Sequence, residues 1–304
     1  MLKTLTLELR KSNNLLLSKL FPFSTSRLLG QISTQELDSL YYKLLKQLNV
    51  DFLIECGAHE ATASLNFVKN GGNSLAIEAN PFVFKNITPK SFDNYVSVNF
   101  ALSNKKDKVD FYFPIDNNNS GQSTFSPKKG IKYDKIEVNT IELDELIKQK
   151  GIENQNFAFW IDVEGHQKEV FEGSMGSLQN CRLINIEVED VELFTDQKWL
   201  VHSVNEFLEK NDFVSVFRDF EYVGQFNIIY VKKIFLEEII TLVDSSKENL
   251  KKQIGLKKII LFLTKKQNFL SEIKSIVINL FGAKIGNFLA KSFGSKSSSN
   301  FFKN

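Results

Sequence analysis

Apolar and polar positions change their spacing repeatedly along the middle of this chain. Short apolar runs bounded by Gly, Asn or Asp alternate with stretches whose apolar residues recur at helical intervals. This alternation is typical of a mostly parallel sheet covered by helices on both faces. The strands are predicted near 51–56, 74–78, 96–100, 157–162, 183–189, 213–218 and 226–232. The helices that connect them are predicted near 60–70, 81–87, 141–150, 166–179 and 199–210.

A further helix is predicted before the first strand. Ser33 and Glu36 have the spacing of a capping box, which predicts the helix start. One apolar stripe with helical spacing follows, made of Leu37, Leu40, Tyr41, Leu44, Leu45 and Leu48. We expect this helix to pack on the sheet as a lid over the first strand. Residues 1–30 have no clear period, which indicates a loosely attached helical leader.

Two features modify the parallel plan. Residues 108–113 and 135–140 alternate apolar and polar positions, which predicts an added β-ribbon. The stretch 116–130 between them is rich in Asn, Ser, Gly and Lys, which indicates a loop. The connection 219–224 has the length of a hairpin turn, so the last strand is expected to run antiparallel. The predicted fold is therefore α/β, with a seven-stranded, mostly parallel sheet.

Composition narrows the possible functions. The chain has 304 residues, of which 42% are hydrophobic and 24% charged, an ordinary soluble composition. The formal net charge of +2 is unevenly distributed: residues 232–304 hold fourteen lysines and five acids, and the remainder holds 24 basic and 31 acidic residues. A mildly acidic body disfavours nucleic acid as a partner, because phosphate contact needs a positive face.

The small number of cysteines and the charges near the N-terminus indicate a cellular location for the protein. Two cysteines are too few for a disulfide framework, and charges interrupt any signal-peptide core near the N-terminus. We therefore expect a cytoplasmic location. Near the C-terminus, apolar helical faces between 259 and 280 are surrounded by lysines. These faces are expected to pack on the body or on a second subunit, or to bind a membrane surface peripherally.

Candidate chemistry lies at the ends of the first two strands. Gly57 stands where the chain turns tightly and lets a ligand approach its backbone, and Glu78 ends the next strand, where a carboxylate can accept bonds from two ribose hydroxyls. A dinucleotide site would need a Gly-x-Gly-x-x-Gly turn, but His59 and Thr62 occupy the second and third glycine positions. S-adenosylmethionine (SAM) has no pyrophosphate, so the pattern favours SAM over NAD.

Five segments in order resemble the successive motifs of the FkbM family of SAM-dependent methyltransferases. They are Ile54-Glu-Cys-Gly-Ala58, Ala76-Ile-Glu-Ala-Asn-Pro81, Phe100-Ala-Leu-Ser103, Leu143-Asp-Glu-Leu146 and Ile161-Asp-Val-Glu-Gly165. The resemblance covers roughly residues 50–232. It implies a Rossmann-like class I methyltransferase fold, SAM as the cofactor, and a hydroxyl of a sugar or other small molecule as the acceptor, in glycan or surface polysaccharide modification.

The resemblance also implies site residues. The cofactor-binding residues would be Glu55, Gly57, Ala58, Glu78 and Ala101. Asp162 and Glu164 would lie next to the transferred methyl group and orient the acceptor, and His166 is a candidate base by its ordinary pKa. The chain departs from the family pattern at Glu55, at the turn His59-Glu-Ala61 and at Gln167, where the family usually has Asp, Asn-x-Gly and an acid.

Other interpretations remain open at this point. The altered turn at 59–61 motivates a non-catalytic binding protein that retains the fold, and an NAD-dependent sugar-modifying enzyme is disfavoured by the missing glycines. Paired carboxylates also suit Mg²⁺, although no metal ligands are assigned. We divide the chain into a helical leader and lid (1–49), a methyltransferase domain (50–232) and a basic helical C-terminal extension (233–304).

Overall fold

A computed structural model describes residues 23–87, 92–115, 121–128, 130–222 and 224–254. The chain forms two compact units, Met1–Leu250 and Lys251–Asn304. The strands and helices described below belong to the first unit. Only residues 251–254, at the end of the last described helix, lie in the second. The predicted leader before residue 23 and the basic stretch beyond 254 lie outside the described residues.

Ten strands and seven helices make up the described part of the chain. The strands are β1 (Phe52–Cys56), β2 (Asn73–Ile77), β3 (Tyr95–Val98), β4 (Ala101–Leu102), β5 (Lys108–Pro114), β6 (Tyr133–Ile141), β7 (Phe157–Ile161), β8 (Cys181–Glu189), β9 (Phe213–Arg218) and β10 (Gln225–Lys232). The helices are α1 (Phe23–Gln47), α2 (Thr62–Lys69), α3 (Pro81–Ile87), α4 (Leu143–Lys150), α5 (Gln167–Glu172), α6 (Val201–Lys210) and α7, which begins at 236 and is described to 254.

The main sheet confirms the predicted architecture. Its seven strands lie in the order β3-β2-β1-β7-β8-β10-β9, and β10 runs antiparallel to both of its neighbours while the other neighbouring pairs are parallel. In the central register, Cys56 at the end of β1 pairs with Ile77 of β2 and Ile161 of β7. The residues that follow these three strands therefore meet at one edge of the sheet.

The central strands have continuous apolar sequences because their side chains are buried on both faces of the sheet. The side chains of Ile54, Phe159 and Ile184 are fully buried, because helices cover both faces of the sheet at its centre. Apolar side chains of α4, α5 and α6 join the same core, among them Leu146, Phe171 and Leu208. This packing fixes the carboxyl edge of the strands as a rigid support for the loops above it.

Helix α1 differs from the prediction in its start and in its position. It begins at Phe23, so Ser33 lies inside it, where the Ser33 hydroxyl donates to the carbonyl of Gly30 at 2.8 Å. A serine inside a helix can satisfy its hydroxyl in this way without capping anything. The helix packs mainly on β8, β9 and β10 and not as a lid over β1, and the Tyr41 hydroxyl donates to the carbonyl of Phe159 at 3.0 Å.

The predicted ribbon is present as a small second sheet. β5 and β6 pair antiparallel, and the short β4 pairs parallel with β6, with Ala101 opposite Thr140. This sheet is an insertion between β3 and β7, and its connecting loop returns over the carboxyl edge of the main sheet.

The helix predicted over 166–179 is shorter than expected. α5 ends at Glu172, and a 3₁₀ turn follows at Ser177–Gln179. A Cβ on Gly173 would lie 2.1 Å from the carbonyl oxygen of Ser103, so only glycine fits where the helix ends. The carboxylate of Asp144 then accepts the backbone N–H groups of Gly176 and Ser177, both at 2.7 Å, and holds the turn.

Residues beyond β10 contribute to the first compact unit. Ile239 and Val243 on α7 are each 1% exposed, and the Asn249 amide donates to the carboxylate of Glu36 on α1. The unit therefore continues past 232, where the sequence analysis places a domain boundary, and the division into functional domains stays a prediction. Within the described residues, no helix is long and apolar enough to cross a membrane.

Candidate active site

A cavity of about 150 Å³ opens at the carboxyl edge of the main sheet. Its walls come from the turns after β1, β2 and β7, from the segment around β4, and from the loop between β5 and β6. Of the residues predicted for the site, the cavity brings together Gly57, Glu78, Ala101, Asp162, Glu164 and His166. Glu55 and Ala58 do not line it.

Gly57 lets two strands approach closely beneath the cavity. Its φ is +78°, and a Cβ built on it would lie 1.8 Å from the carbonyl oxygen of Asp162. The backbones are held together there because the Asp162 N–H donates to the carbonyl of Cys56 at 2.9 Å. Both the conformation and the contact exclude any other residue, so this part of the cavity floor is bare backbone.

Glu78 is held with its carboxylate in the cavity wall. Its two oxygens accept the backbone N–H groups of His59, at 2.8 Å, and Asn80, at 2.7 Å. Burial raises the pKa of Glu78, while these two hydrogen bonds favour the charged form. Each oxygen can accept a further bond, so the carboxylate keeps acceptor capacity for vicinal hydroxyls.

Glu55 and Ala58 have structural positions that differ from the prediction. The Glu55 carboxylate accepts the backbone N–H groups of Ala63 and Ser64, at 3.1 and 2.8 Å, in the first turn of α2. Burial raises the pKa of Glu55 to about 7. Ala58 packs in a small apolar cluster with Ala61 and Val68. Both residues therefore shape the turn after β1 from behind and do not offer groups to the cavity.

The altered turn is accommodated by left-handed backbone conformations. His59 and Ala61 have φ values of +46° and +56°, which non-glycine residues rarely adopt. The bond from the His59 N–H to Glu78 fixes this strained turn, and the His59 side chain lines the cavity. The side chain thus occupies part of the space over β1 and β2.

Phe100, Ala101 and Leu102 form the apolar wall of the cavity. Ala101 is 2% exposed, and its place in β4 is fixed by pairing with β6. An apolar wall opposite a buried carboxylate suits a flat aromatic ring next to a hydroxylated sugar, as in an adenosyl group. These residues and Gly57 and Glu78 fit SAM.

The loop between β5 and β6 closes the cavity from outside. Gly121, Ser123 and Phe125 line it, and the Asn80 amide donates to the Ser123 hydroxyl at 3.1 Å. The Phe125 ring stacks on the His166 ring with centroids 4.0 Å apart. The composition of this stretch predicts only a polar loop, because nothing in it indicates where an insertion folds back.

Asp162 and Glu164 lie at the end of β7 as predicted, within a larger set of carboxylates. One ligand oxygen from each of Asp162, Glu164 and Glu187 lies within 4.8 Å of the others. Burial raises the pKa of Asp162 to about 8, and the neighbouring charge of Glu164 adds to the shift. Burial also raises the pKa of Glu187 well above its ordinary value and that of Glu189 to about 7.

Amide side chains and one lysine surround this carboxylate cluster, which we define as Asp162, Glu164, Glu187 and Glu189. Gln225 donates to Glu187 at 2.5 Å, and Gln167 and Gln197 donate to Glu189 at 3.2 and 2.8 Å. Lys128 contacts Glu164. These partners were not predicted from the sequence, although the glutamines at 167 and 225 stand next to recognised strand ends.

The cluster has the chemistry of a site for a hard cation or for a polar acceptor. Three carboxylates with oxygens this close match the oxygen ligands that Mg²⁺ and Ca²⁺ prefer. Asp162 also has one buried oxygen, Oδ1, without a hydrogen-bond partner. An acceptor hydroxyl would satisfy such an oxygen.

His166 lies on the cavity wall but is held as a neutral ring. Burial lowers its pKa to about 4. Its Nε2 lies 3.4 Å from the Ser103 hydroxyl and its Nδ1 lies 3.4 Å from Glu169. Stacked on Phe125, the ring forms part of the cavity wall, and a base with this pKa is weaker than Asp162 or Glu189.

A comparison with protein families identifies the class. The family described as the methyltransferase FkbM domain matches residues 55–215, more than half of the chain. The chain therefore belongs to the FkbM methyltransferase family. It is a methyltransferase with a mostly parallel, seven-stranded α/β sheet, and SAM is the cofactor that this family membership implies. This assignment favours methyl transfer over the NAD-dependent alternative.

Solved structures with a related fold are distant. Magnesium protoporphyrin IX methyltransferase (ChlM) from Synechocystis PCC 6803 with bound SAM is 11% identical, with a TM-score of 0.39 over 70% of this chain and 85% of that chain. The 1,6-didemethyltoxoflavin-N1-methyltransferase from Burkholderia thailandensis is 10% identical, with a TM-score of 0.35 over 64% and 76%. WbdD is 10% identical, with a TM-score of 0.40 over 68% of this chain and 42% of that chain. No curated protein matches the chain.

Proposed function

We propose that this methyltransferase methylates a hydroxyl of a sugar or another small polar acceptor, in glycan or surface polysaccharide modification. The carboxylate cluster beside the cavity carries the proposal. Glu164, Glu187 and Glu189 are buried and accept hydrogen bonds from amide side chains, and Asp162 keeps one buried oxygen without a partner. A hydroxyl is the kind of group that such an oxygen binds, because it donates one hydrogen bond and accepts others.

In this proposal the cofactor is held by the edge formed by β1 and β2. Glu78 accepts the ribose hydroxyls, the bare backbone at Gly57 lies under the amino-acid part, and Phe100 to Leu102 cover the adenine. When bound, SAM supplies an electrophilic methyl group on a sulfonium. Glu55 and Ala58 are not proposed as ligands, because their side chains support the turn from behind.

Asp162 is proposed to orient the acceptor hydroxyl and to take its proton. Its pKa of about 8 places its ionisation close to neutral pH, which suits a general base. Glu164 is proposed to accept the hydrogen bond of the same or a neighbouring hydroxyl. Most of the acceleration is expected from alignment of the acceptor with the methyl group, so the rigid support of these two residues matters as much as their charge.

His166 is proposed to bound the acceptor site and not to act as the base. Its depressed pKa makes it a weak proton acceptor, while its stacking on Phe125 fixes the ring as a flat wall. Ligand pockets combine apolar or aromatic walls with a few placed polar groups, and a flat ring opposite carboxylates would contact both the face and the hydroxyls of a sugar.

The test is a search for the product. A panel of nucleotide sugars and glycans is incubated with SAM and the enzyme, and mass spectrometry looks for a gain of about 14 Da, the mass of one CH₂ group, in the panel compounds. Asp162→Asn, which is expected to bind SAM but to lose turnover, serves as the matched control. A methylated hydroxyl confirms the proposal, and methylation only of nitrogen or carbon acceptors contradicts it.

Cytoplasmic location and association through residues 233–304 stay predictions. Sedimentation with anionic vesicles at low and high salt, together with sizing of the chain, separates membrane binding from self-association. Salt weakens attraction between lysines and anionic lipid, whereas an apolar subunit contact is less affected.

A further inference from the structure

The loop between β5 and β6 brings one ammonium group into the carboxylate cluster. Lys128 Nζ lies 2.8 Å from Glu164 Oε2, and the two side chains are only 14% and 11% exposed. Other ion pairs of the same insertion are on its surface, such as Lys108–Glu137, whose side chains are 67% and 62% exposed. Water and salt screen the Lys128–Glu164 pair far less than a surface pair.

Lys128 is fixed from its own side of the contact. Its backbone forms a β-bridge with Phe194, and its ammonium lies 4.7 Å from the centroid of the Phe194 ring. The Thr195 hydroxyl donates to the carbonyl of Pro127 at 2.9 Å. These contacts therefore hold both the backbone and the ammonium group of Lys128 at the edge of the sheet.

Glu164 is fixed in turn with one oxygen directed at Lys128. Its backbone has φ +46°, and its carbonyl accepts the Thr124 hydroxyl at 2.7 Å. Among the described residues, the contacts to its carboxylate use Oε2, from Lys128 and from Gln225 at 3.4 Å. The other oxygen, Oε1, is left for a ligand in the cavity that Glu164 lines.

Lys128 is the counter-ion of Glu164 within the carboxylate cluster. Asp162, Glu164 and Glu187 approach within 4.8 Å, and the described residues place one ion-paired cation among them, Lys128. Without it, the Glu164 carboxylate, whose side chain is 11% exposed, would be a nearly buried charge without a counter-ion, and rotation toward water would relieve that cost.

We propose that Lys128 is a positioning residue for methyl transfer, which holds the Glu164 carboxylate against the cavity so that Glu164 faces the transferred methyl group. The proposal rests on the proposed function in placing that methyl group beside the end of β7. Lys128 does not line the cavity itself and acts through Glu164.

The test compares SAM with S-adenosylhomocysteine (SAH), which needs no acceptor. The two compounds differ in the methyl group and in the positive charge that it places on sulfur, so a change between variants in the ratio of their dissociation constants reports the carboxylates that face the methyl position. Calorimetry at pH 7.5 measures both constants for the wild type, Lys128→Met and Lys128→Arg. Lys108→Met is the matched control, because it removes an exposed ion-paired lysine from the same insertion.

If Lys128 positions Glu164, the preference for SAM over SAH falls by about threefold or more in Lys128→Met, because the nearest carboxylate moves away. Glu164→Gln then shifts the ratio in the same direction, and Lys128→Arg restores it. A rise in SAM preference overturns the proposal, since it means that only a positive charge was lost. An unchanged ratio overturns it as well, since the pair is then structural.

Turnover gives the second measurement once an acceptor is found. We expect kcat to fall in Lys128→Met with little change in the KM for SAM, and to recover in Lys128→Arg. If none of the nucleotide sugars and glycans is methylated, that result contradicts only the proposed sugar acceptor. The role of Lys128 is still decided by the dissociation constants for SAM and SAH, which need no acceptor. Urea unfolding of each variant shows whether a change in the ratio comes from loss of the fold.

Discussion

Gly57 lies so close to Asp162 that a methyl group on Gly57 would meet the Asp162 carbonyl oxygen at 1.8 Å. The two residues follow strands that are neighbours in the sheet but separated by about a hundred positions in the chain. The backbone under the proposed cofactor site therefore touches the backbone of the proposed catalytic residue. A substitution at Gly57 is expected to displace Asp162.

Gly57→Ala is expected to abolish SAM binding and to lower the free energy of unfolding. The added Cβ must push apart the turn after β1 and the end of β7, and a left-handed alanine costs about 1–2 kcal/mol in addition. Calorimetry with SAM and urea unfolding measure the two effects. Gly71→Ala is the matched control, because Gly71 has φ +89° and open space around its Cβ position. Equal behaviour of the two variants would show that the contact with Asp162 is unimportant.

Glu78→Ala is expected to weaken SAM binding by at least about 1–3 kcal/mol, the usual penalty for losing a charged hydrogen-bond acceptor. Its carboxylate also holds the N–H groups of His59 and Asn80, so the variant should unfold at lower urea. Glu78→Gln keeps the shape and one acceptor and should lie between the wild type and the alanine variant. Wild-type affinity in Glu78→Ala would remove this residue from the site.

Asp162→Asn is expected to bind SAM almost normally and to lose turnover. The amide preserves the size of the side chain but can neither take a proton nor carry the charge that orients the acceptor. Steady-state kinetics with a confirmed acceptor and calorimetry with SAM separate the two steps. Turnover within twofold of the wild type would exclude a charge-dependent role for Asp162.

The raised pKa values predict opposite effects of pH on stability and on activity. Asp162, with a folded pKa of about 8, holds its proton more tightly in the native state than in the unfolded chain. Its contribution to stability is therefore present below the unfolded pKa and is lost as pH rises through about 8. Glu55 and Glu189 act in the same direction up to about pH 7.

Urea unfolding between pH 7.5 and 9 tests this expectation, since the opposing effect of His166 lies between its folded pKa of about 4 and its ordinary value of 6.5 and is nearly complete below that range. We expect the free energy of unfolding to fall with pH, and turnover to rise as Asp162 loses its proton. Asp162→Asn should flatten the stability profile. A profile of the same slope in that variant would assign the dependence to other groups.

Truncation separates α7 from the residues that follow it. A chain that ends at residue 250 should keep its melting temperature and SAM affinity, because it retains the first compact unit. A chain that ends at residue 239 loses the buried side chains of Val243 and Leu250, each worth about 1.5–3 kcal/mol, and should melt earlier. Equal melting of the two chains would show that α7 adds nothing to the fold.

The sheet was predictable from the sequence because its signal is local. Each strand is a short apolar run closed by turn residues, so Gly57, Glu78 and Asp162 could be placed at one edge before any coordinates were known. The cofactor role of Glu55 was inferred from the family resemblance, and the apolar run of β1 does not say which neighbouring backbone a buried carboxylate meets. Here it is the first turn of α2.

The partners of the carboxylates could not be predicted in the same way. Gln225 lies 61 positions from the Glu164 side chain that it contacts, and Lys128 lies in a loop of ordinary polar composition. Their contacts depend on where an insertion and an antiparallel strand fold back, which residue spacing does not encode.

The contacts of helix α1 affect how the chain folds during its synthesis. Its contacts are to residues synthesised much later: the Thr34 hydroxyl bonds Asp219, 185 positions further on, and the Phe220 N–H bonds the Ser33 hydroxyl across 187 positions. Contacts of such long range form slowly, because a large loop must close first. During synthesis the apolar stripe of α1 leaves the ribosome well before β8, β9 and β10 exist to cover it. Until β10 emerges, this stripe is an exposed surface for chaperones or for aggregation. The first of the described helices to be made is therefore among the last to be packed.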